Sequence, residues 1–184
     1  MRLSRRALLC AALAAGTLAG CATGPRPDAG ANAPRSITLV HPESGEAIAV
    51  TYWRPGGYDS KALFDIALLF RDRRAGDFMP VDPALIDLIV AVRDRLGLAP
   101  DTPIHLTSGY RAPLTNASLA RGNGNVAENS YHMQARAADI RIPGVAGRRI
   151  VEAAAALARG GYAYYPGSDH VHLDTGPPRT WVVR

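Results

Sequence analysis

The stretch Ser130-Tyr131-His132-Met133-Gln134-Ala135-Arg136-Ala137-Ala138-Asp139 runs directly into the alternating segment Ile140-Arg141-Ile142. The alternation predicts a strand that turns Ile140 and Ile142 towards the core. Residues two apart in a strand share a face, so Asp139 lies on the opposite face. His132 precedes Asp139 by an odd number of residues, and one continuous strand would put the two on different faces. The sequence therefore predicts that His132 enters from a loop or bulge ahead of the strand.

A second histidine-rich segment, Asp169-His170-Val171-His172-Leu173-Asp174, follows nearer the end of the chain. As a strand it would place Val171 and Leu173 in the core, with His170, His172 and Asp174 on the other face. If the two strands are antiparallel neighbours, Asp139 and His172 meet on one surface. With His132 they form a set that suits zinc and leaves one position open for water. His170 shares the face of His172 and is an alternative third ligand.

Length and composition indicate one globular domain. The chain has 184 residues, of which 47% are hydrophobic and 20% charged. Its net charge of +5 depends on Arg2, Arg5 and Arg6; without them 18 positive residues face 16 acids. That balance favours no nucleic-acid partner, which usually needs a clustered basic surface. The two cysteines, Cys10 and Cys21, both belong to the leader, so metal ligands must come from His, Asp or Glu.

The first 35 residues predict export and tethering. Residues 1–20 have a positive start and an apolar run too short to span a membrane, as in an export signal. Ser4-Arg5-Arg6 resembles a twin-arginine signal, and Leu18-Ala19-Gly20-Cys21 resembles a lipobox. A lipidated Cys21 would anchor the protein to a membrane and place it in the periplasm. Resemblance to bacterial lipoproteins favours the outer membrane. A plain secretory signal is the alternative. Residues 21–35, rich in Pro, Gly and Ala, predict a flexible tether.

Residues 36–184 predict an α+β domain: an antiparallel sheet with helices packed on one side. The predicted strands cover 37–41, 47–53, 104–111, 139–142, 162–165 and 170–175, and the predicted helices cover 60–74, 83–96, 114–121 and 146–159. The first helix is expected to be capped by Ser60 and stopped by Gly76, and the second to be capped by Asp82.

The motif around His132 resembles Ser-x-His-x-x-Gly-x-Ala-x-Asp of the zinc D-alanyl-D-alanine peptidases, whose fold is shared with the hedgehog signalling domain. Three segments resemble a bacterial branch of this superfamily, the MepK-like murein endopeptidases. They are Ser108-Gly109-Tyr110-Arg111, Asn129-Ser130-Tyr131-His132-Met133 and Val171-His172-Leu173-Asp174-Thr175-Gly176. The resemblance spans roughly residues 37–181. It implies a hedgehog/D,D-peptidase-like zinc fold with Zn²⁺ bound by His132, Asp139 and His172.

The chain departs from the family's pattern at two positions, one in the loop after His132 and one at the expected general base. Ala135 replaces the motif glycine. Three residues before the last histidine ligand, the carboxypeptidases have a glutamate as general base, and this chain has Asp169, one methylene shorter. Asp174 is the rival candidate, because it shares a face with His172. Arg111 is expected to hold a substrate carboxylate or to polarise the scissile carbonyl.

The resulting hypothesis is an exported zinc metallopeptidase that hydrolyses peptide cross-links of peptidoglycan. Zinc lowers the pKa of water from about 15.7 towards about 7, and Asp169 or Asp174 would take the proton. The alternatives are a D,D- or L,D-carboxypeptidase that trims murein peptides, and a non-catalytic murein-binding lipoprotein. In the last of these, zinc would be structural or absent, and His170 is the candidate that would close a structural site.

Overall fold

The computed structural model describes residues 32–122, 124, 126–181 and 183. The predicted export signal, the lipobox with Cys21 and most of the predicted tether lie outside these residues. Within the described part of the chain, none of the helices has both the length and the apolar character needed to cross a bilayer.

The described residues form eight strands, four α-helices and one 3₁₀ turn. The strands are β1 (Arg35–Val40), β2 (Ala47–Arg54), β3 (Gly57–Tyr58), β4 (Pro103–Ser108), β5 (Ala137–Arg141), β6 (Gly161–Tyr165), β7 (His170–Asp174) and β8 (Arg179–Thr180). The helices are α1 (Ser60–Phe70), α2 (Pro83–Arg95), α3 (Pro113–Gly122) and α4 (Gly147–Leu157), and the 3₁₀ turn is Tyr131–Gln134. The α+β class and the predicted hairpin of β1 and β2 are confirmed.

All eight strands belong to one sheet, in the order β3-β2-β1-β4-β5-β7-β6-β8. The central strand β5 is antiparallel to both of its neighbours, β4 and β7. Most pairings are antiparallel, as predicted, but β1 pairs with β4, and β6 with β8, in parallel. The sheet is therefore mixed, although the pairings that bring the histidine segments together are antiparallel.

Helices cover one face of this sheet, here called the helix face. Its strand residues are buried in one apolar cluster with residues of α1, α2 and α4: Ile37, Leu39, Ile104, Leu106, Ile140, Val171 and Leu173. The expected one-sided packing is confirmed for those three helices. Helix α3 contributes nothing to this cluster. The opposite side of the sheet, here called the open face, carries Asp139 and His172.

The helix α1 differs from its predicted bounds. Its N-cap is Asp59, whose carboxylate accepts the backbone N–H of Ala62, not Ser60. It ends at Phe70, four residues earlier than predicted, because the buried carboxylate of Asp72 accepts the N–H groups of Arg74 and Ala75 and holds a turn. For α2 the prediction is confirmed: it begins at Pro83, and Asp82 caps it by accepting the N–H of Ala84.

Candidate metal centre

Strands β5 and β7 place Asp139 directly opposite His172 on the open face. An Oδ1 atom of Asp139 lies 3.0 Å from Nδ1 of His172. The alternation of Ala138, Asp139 and Ile140 produces this arrangement, since the two flanking side chains enter the core. The predicted meeting of these two residues is confirmed.

His132 reaches the same point from the 3₁₀ turn that precedes β5. Ser130 caps this turn by accepting the backbone N–H of His132. Ala135, in the left-handed conformation at φ 51°, ends it. Because the turn interrupts the strand alternation between His132 and Asp139, both side chains reach the same face, and Nε2 of His132 lies 3.3 Å from Oδ1 of Asp139. The glycine of the family motif corresponds to this left-handed position, which glycine adopts without steric cost.

The hydrogen bonds of the two imidazoles fix their neutral tautomers. Nδ1 of His132 lies 2.7 Å from the carbonyl oxygen of Gly109, which only accepts, so Nδ1 carries the proton. Nε2 of His172 lies 2.9 Å from Oδ2 of Asp174, and the same reasoning puts its proton there. The unprotonated nitrogens, Nε2 of His132 and Nδ1 of His172, therefore both face Asp139.

The three converging atoms fit a zinc ion. Ligand atoms of a tetrahedral zinc site with bonds of about 2.0–2.1 Å lie roughly 3.3 Å apart. Nε2 of His132 lies 3.3 Å from Nδ1 of His172, and the Asp139 oxygen lies 3.3 Å and 3.0 Å from these two nitrogens. Three electron-pair donors at such distances need a cation or a proton between them. Among the described residues, His132, Asp139 and His172 form the group whose ligand atoms are close enough together to hold a metal ion.

Burial and neighbouring charges adjust the protonation of the three side chains. His132 is 1% exposed, and burial lowers its pKa, which favours the neutral form that binds metal. Burial also lowers the pKa of His172, but the hydrogen bonds that a protonated ring would donate to both Asp139 and Asp174 outweigh burial and raise the pKa overall. For Asp139, burial would raise the pKa, but the charges and hydrogen bonds of both histidines hold it well below the usual range. Asp139 is thus an anion at neutral pH.

Arg111 lies beside the three ligands. Its Nη2 donates to Oδ2 of Asp139 at 2.8 Å, and its Nε donates to Oγ of Ser108 at 3.0 Å. Backbone bonds fix the segment: the N–H of Tyr110 donates to the carbonyl of Phe70 at 2.7 Å, and the N–H of Arg111 donates to the carbonyl of His132 at 3.1 Å. A guanidinium is thereby held at the edge of the metal centre.

Comparisons with known proteins identify the family. A family model described as peptidoglycan L,D-endopeptidase MepK matches residues 29–181. The chain belongs to the MepK family of M15 peptidases. It is 38% identical over 148 residues to the peptidoglycan L,D-endopeptidase MepK of Escherichia coli K12, covering 80% of each chain. It is 36% identical to the probable MepK of Haemophilus influenzae Rd, covering 80% of this chain and 79% of that protein.

Asp174 lies under the metal centre of this MepK-family domain. It is 0% exposed, and its carboxylate accepts hydrogen bonds from Nε2 of His172, the backbone N–H groups of Gly161 and Gly176, and both terminal nitrogens of Arg179. Burial would raise its pKa, but these bonds lower it overall. A carboxylate so fully occupied orients the ring of His172, as partners of metal-bound histidines commonly do. Its position does not fit the alternative that Asp174 is the general base.

Asp169 lies away from the three ligands. It is exposed, and its Oδ1 accepts the backbone N–H of Gly147 at 3.2 Å and the hydroxyl of Tyr164 at 2.8 Å. Gly147 begins α4, which packs on the helix face of the sheet. The carboxylate therefore points to the helix side while the metal centre lies on the open face. The structure does not bring the preferred candidate for the general base to the site.

His170 lies on the open face but is held by other partners. Its Nδ1 lies 2.6 Å from Oγ of Ser168, and its ring stacks on that of Tyr165 with 4.3 Å between centroids. The metal-binding group of the described residues does not include it. This placement does not fit the alternatives in which His170 is the third ligand or closes a structural site.

The metal centre opens into a groove of about 580 Å³. Residues from several separate segments line it, among them Arg111, Tyr131, Tyr165, His170, Arg179 and Trp181. Sequence reasoning missed Tyr131, Arg179 and Trp181, because no periodicity links them. Arg179 packs on the rings of Tyr131 and Trp181, 5.1 Å and 5.3 Å from their centroids. The groove wall therefore combines aromatic rings with cations.

Proposed function

We propose that this protein is a zinc-dependent endopeptidase that hydrolyses peptide cross-links of peptidoglycan. The observation that carries the proposal is the three-ligand set of His132, Asp139 and His172 at the floor of an open groove. A set of three protein ligands is typical of catalytic zinc, whereas structural zinc has four. The relatives named peptidoglycan L,D-endopeptidase supply the substrate class.

The chain's own residues prepare the site for zinc. The carbonyl of Gly109 and the carboxylate of Asp174 hold the ring protons of His132 and His172 away from the centre. When bound, zinc would supply Lewis acidity, which polarises a peptide carbonyl and lowers the pKa of water.

Arg111 is placed to act on the substrate. Its side chain is 15% exposed, and its guanidinium lies 2.8 Å from Asp139, so the guanidinium is fixed before a substrate arrives. Negative charge develops on the carbonyl oxygen during peptide hydrolysis, and a preorganised cation at that point stabilises the transition state. In this proposal Asp174 orients His172 through Nε2 and does not move the catalytic proton. Asp169 stands outside the catalytic set.

We further propose that the enzyme works in the periplasm, tethered by a lipidated Cys21. The export signal and the lipobox in residues 1–21 support this location, and so does a substrate that lies in the cell envelope. The residue after the cysteine, Ala22, favours anchoring to the outer membrane. Labelling with a radioactive fatty acid, compared between wild type and Cys21→Ser, tests the anchor.

The test of the function is digestion of purified murein, followed by separation of the muropeptides. Wild type with zinc is expected to convert cross-linked dimers to monomers, and His132→Ala is expected to leave them intact. His41→Ala is the matched control, since His41 is a buried histidine in the β1–β2 hairpin that bonds the backbone of Ser44. Release of terminal residues from uncross-linked peptides would instead indicate a carboxypeptidase. Tight binding to murein without any product would indicate a binding protein.

A further inference from the structure

A second row of side chains crosses the open face beside the metal centre. His105 of β4 lies opposite Arg141 of β5. The register of β5 with β7, continued by one residue from Ile140 and Val171, brings Arg141 beside His170. Strand residues advance about 3.3 Å each, so Arg141 lies roughly 6.6 Å along β5 from the metal ligand Asp139 and on the same face.

Arg141 is available to a ligand. The residue is exposed. Across the described residues, no Asp or Glu carboxylate lies within ion-pair distance of its guanidinium. Other arginines of the domain are engaged: Arg71 binds Glu46, Arg93 binds Asp94 and Arg179 binds Asp174. The flanking side chains of Arg141 on the open face are imidazoles, from His105 and His170.

An exposed arginine without a partner is not unusual by itself, and Arg149 of α4 is another. Location distinguishes Arg141. The helices α1, α2 and α4 pack on the opposite face of the sheet, so Arg141 stands on the surface that carries the metal centre. The one carboxylate close by, that of Asp139, is taken up by Arg111 and the two histidines. Arg141 lies just outside the groove lining, beside the lining residue His170, so a peptide that extends from the groove along β5 would meet its guanidinium.

We propose that Arg141 forms a subsite for a free carboxylate of the murein peptide, several ångströms from the scissile carbonyl. This inference rests on the proposed function. A cross-link through a diamino-dicarboxylic acid residue presents such a group, because its second carboxylate is not part of the peptide bond that is cut. The guanidinium offers a planar pair of N–H donors that matches a carboxylate. Arg141 would thus determine specificity for the acidic form of the cross-link over an amidated one.

The experiment uses two soluble cross-linked muropeptides that are identical except that the free carboxylate of one is converted to an amide. Wild type, Arg141→Gln and the matched control Arg149→Gln are compared on both, as zinc-loaded enzymes. We expect wild type to favour the acid by about 10- to 100-fold in kcat/KM, the value of one charge-assisted hydrogen bond. Arg141→Gln should lose that preference through a higher KM for the acid, with kcat little changed. Arg149→Gln should keep it.

The other outcomes separate this inference from the function on which it rests. The subsite is refuted if Arg141→Gln cleaves the acid as well as wild type does. It is also refuted if kcat/KM falls equally for the acid and the amide, because Arg141 then does not recognise the carboxylate. If wild type, correctly folded and zinc-loaded, cleaves neither muropeptide nor whole murein, the proposed function itself fails. Thermal unfolding of each variant shows whether a loss reflects binding or folding.

Discussion

The two faces of strands β5 and β7 differ in composition and in what they do. On the helix face, Ile140, Val171 and Leu173 are each 0% exposed and pack in the core. On the open face, the alternate residues Asp139 and His172 are the proposed metal ligands. Stability and chemistry thus come from neighbouring residues of the same two strands, separated only by the direction of the side chain. Substitutions on one face should therefore leave the property of the other face largely intact.

The largest effect is expected from His132→Ala on the open face. Removing a ligand should abolish tight zinc binding and lower kcat/KM by at least about a thousand-fold, since a catalytic metal contributes several kcal/mol to transition-state stabilisation. Zinc content and muropeptide release measure the two effects. The His132→Ala variant without metal should have a thermal unfolding midpoint similar to that of the wild-type protein without metal. A collapse of the fold would show that the two faces are not separable.

On the helix face, Leu173→Ala should act on stability. Removing a buried leucine side chain costs about 2–5 kcal/mol of the free energy of unfolding, and denaturant titration measures it. The folded fraction should retain a kcat close to that of wild type, although Leu173 adjoins the ligand His172. A loss of kcat without a loss of stability would contradict the division between the faces.

Asp174→Asn is expected to weaken zinc binding about 10- to 100-fold. The amide cannot reproduce the anionic acceptor for Nε2 of His172, so the ring is less well oriented and less basic. Competition with a chelator measures the affinity. If affinity is unchanged and turnover falls by about 10²- to 10⁴-fold, as for loss of a general base, Asp174 takes the proton after all.

Asp169→Asn should have a small effect, because Asp169 contacts the N-terminus of α4 on the helix side. Losing an anion there should cost about 0.3–1 kcal/mol of stability, with kcat/KM near that of wild type. Thermal unfolding and the murein assay provide both values. A large fall in kcat at unchanged stability would restore Asp169 as the general base.

The smallest effect is expected for Ala135→Gly. The left-handed conformation costs a non-glycine residue about 1–2 kcal/mol, while glycine costs entropy and loses a methyl group buried beside Tyr110 and Ala112. We expect a net stabilisation below about 1 kcal/mol, with zinc affinity unchanged, as measured by denaturant titration. A net destabilisation would mean that the packing of the methyl group outweighs the backbone strain.

Strand periodicity was sufficient to predict much of the site. It placed Asp139 opposite His172 and showed that His132 needs a turn before β5. The same alternation puts Asp169 on the side of Val171, away from the ligands, and so argues against Asp169 as the general base. The expectation that Asp169 is the base came from the resemblance to carboxypeptidases. The hydrogen bonds that the histidine rings donate to the Gly109 carbonyl and the Asp174 carboxylate depend on the fold and could not be predicted.

Long-range contacts explain the errors in the fold. The end of α1 was placed four residues late because Asp72 bonds the N–H of Ala112, forty positions away, as well as those of its own turn. The parallel pairing of β1 with β4 also joins segments that are far apart in sequence. Local sequence patterns do not predict contacts between residues that are so far apart in the chain.

The backbone hydrogen bonds from Tyr110 to Phe70 and from Arg111 to His132 have an evolutionary consequence. They join the end of α1, the arginine segment and the histidine turn through main-chain atoms alone. Gly109 permits this close approach, because a Cβ there would lie 2.6 Å from the carbonyl oxygen of Phe70. The side chain at position 131, which lines the groove, can therefore change among descendants of this protein without breaking these bonds. New substrates could be accommodated while the metal ligands stay where they are.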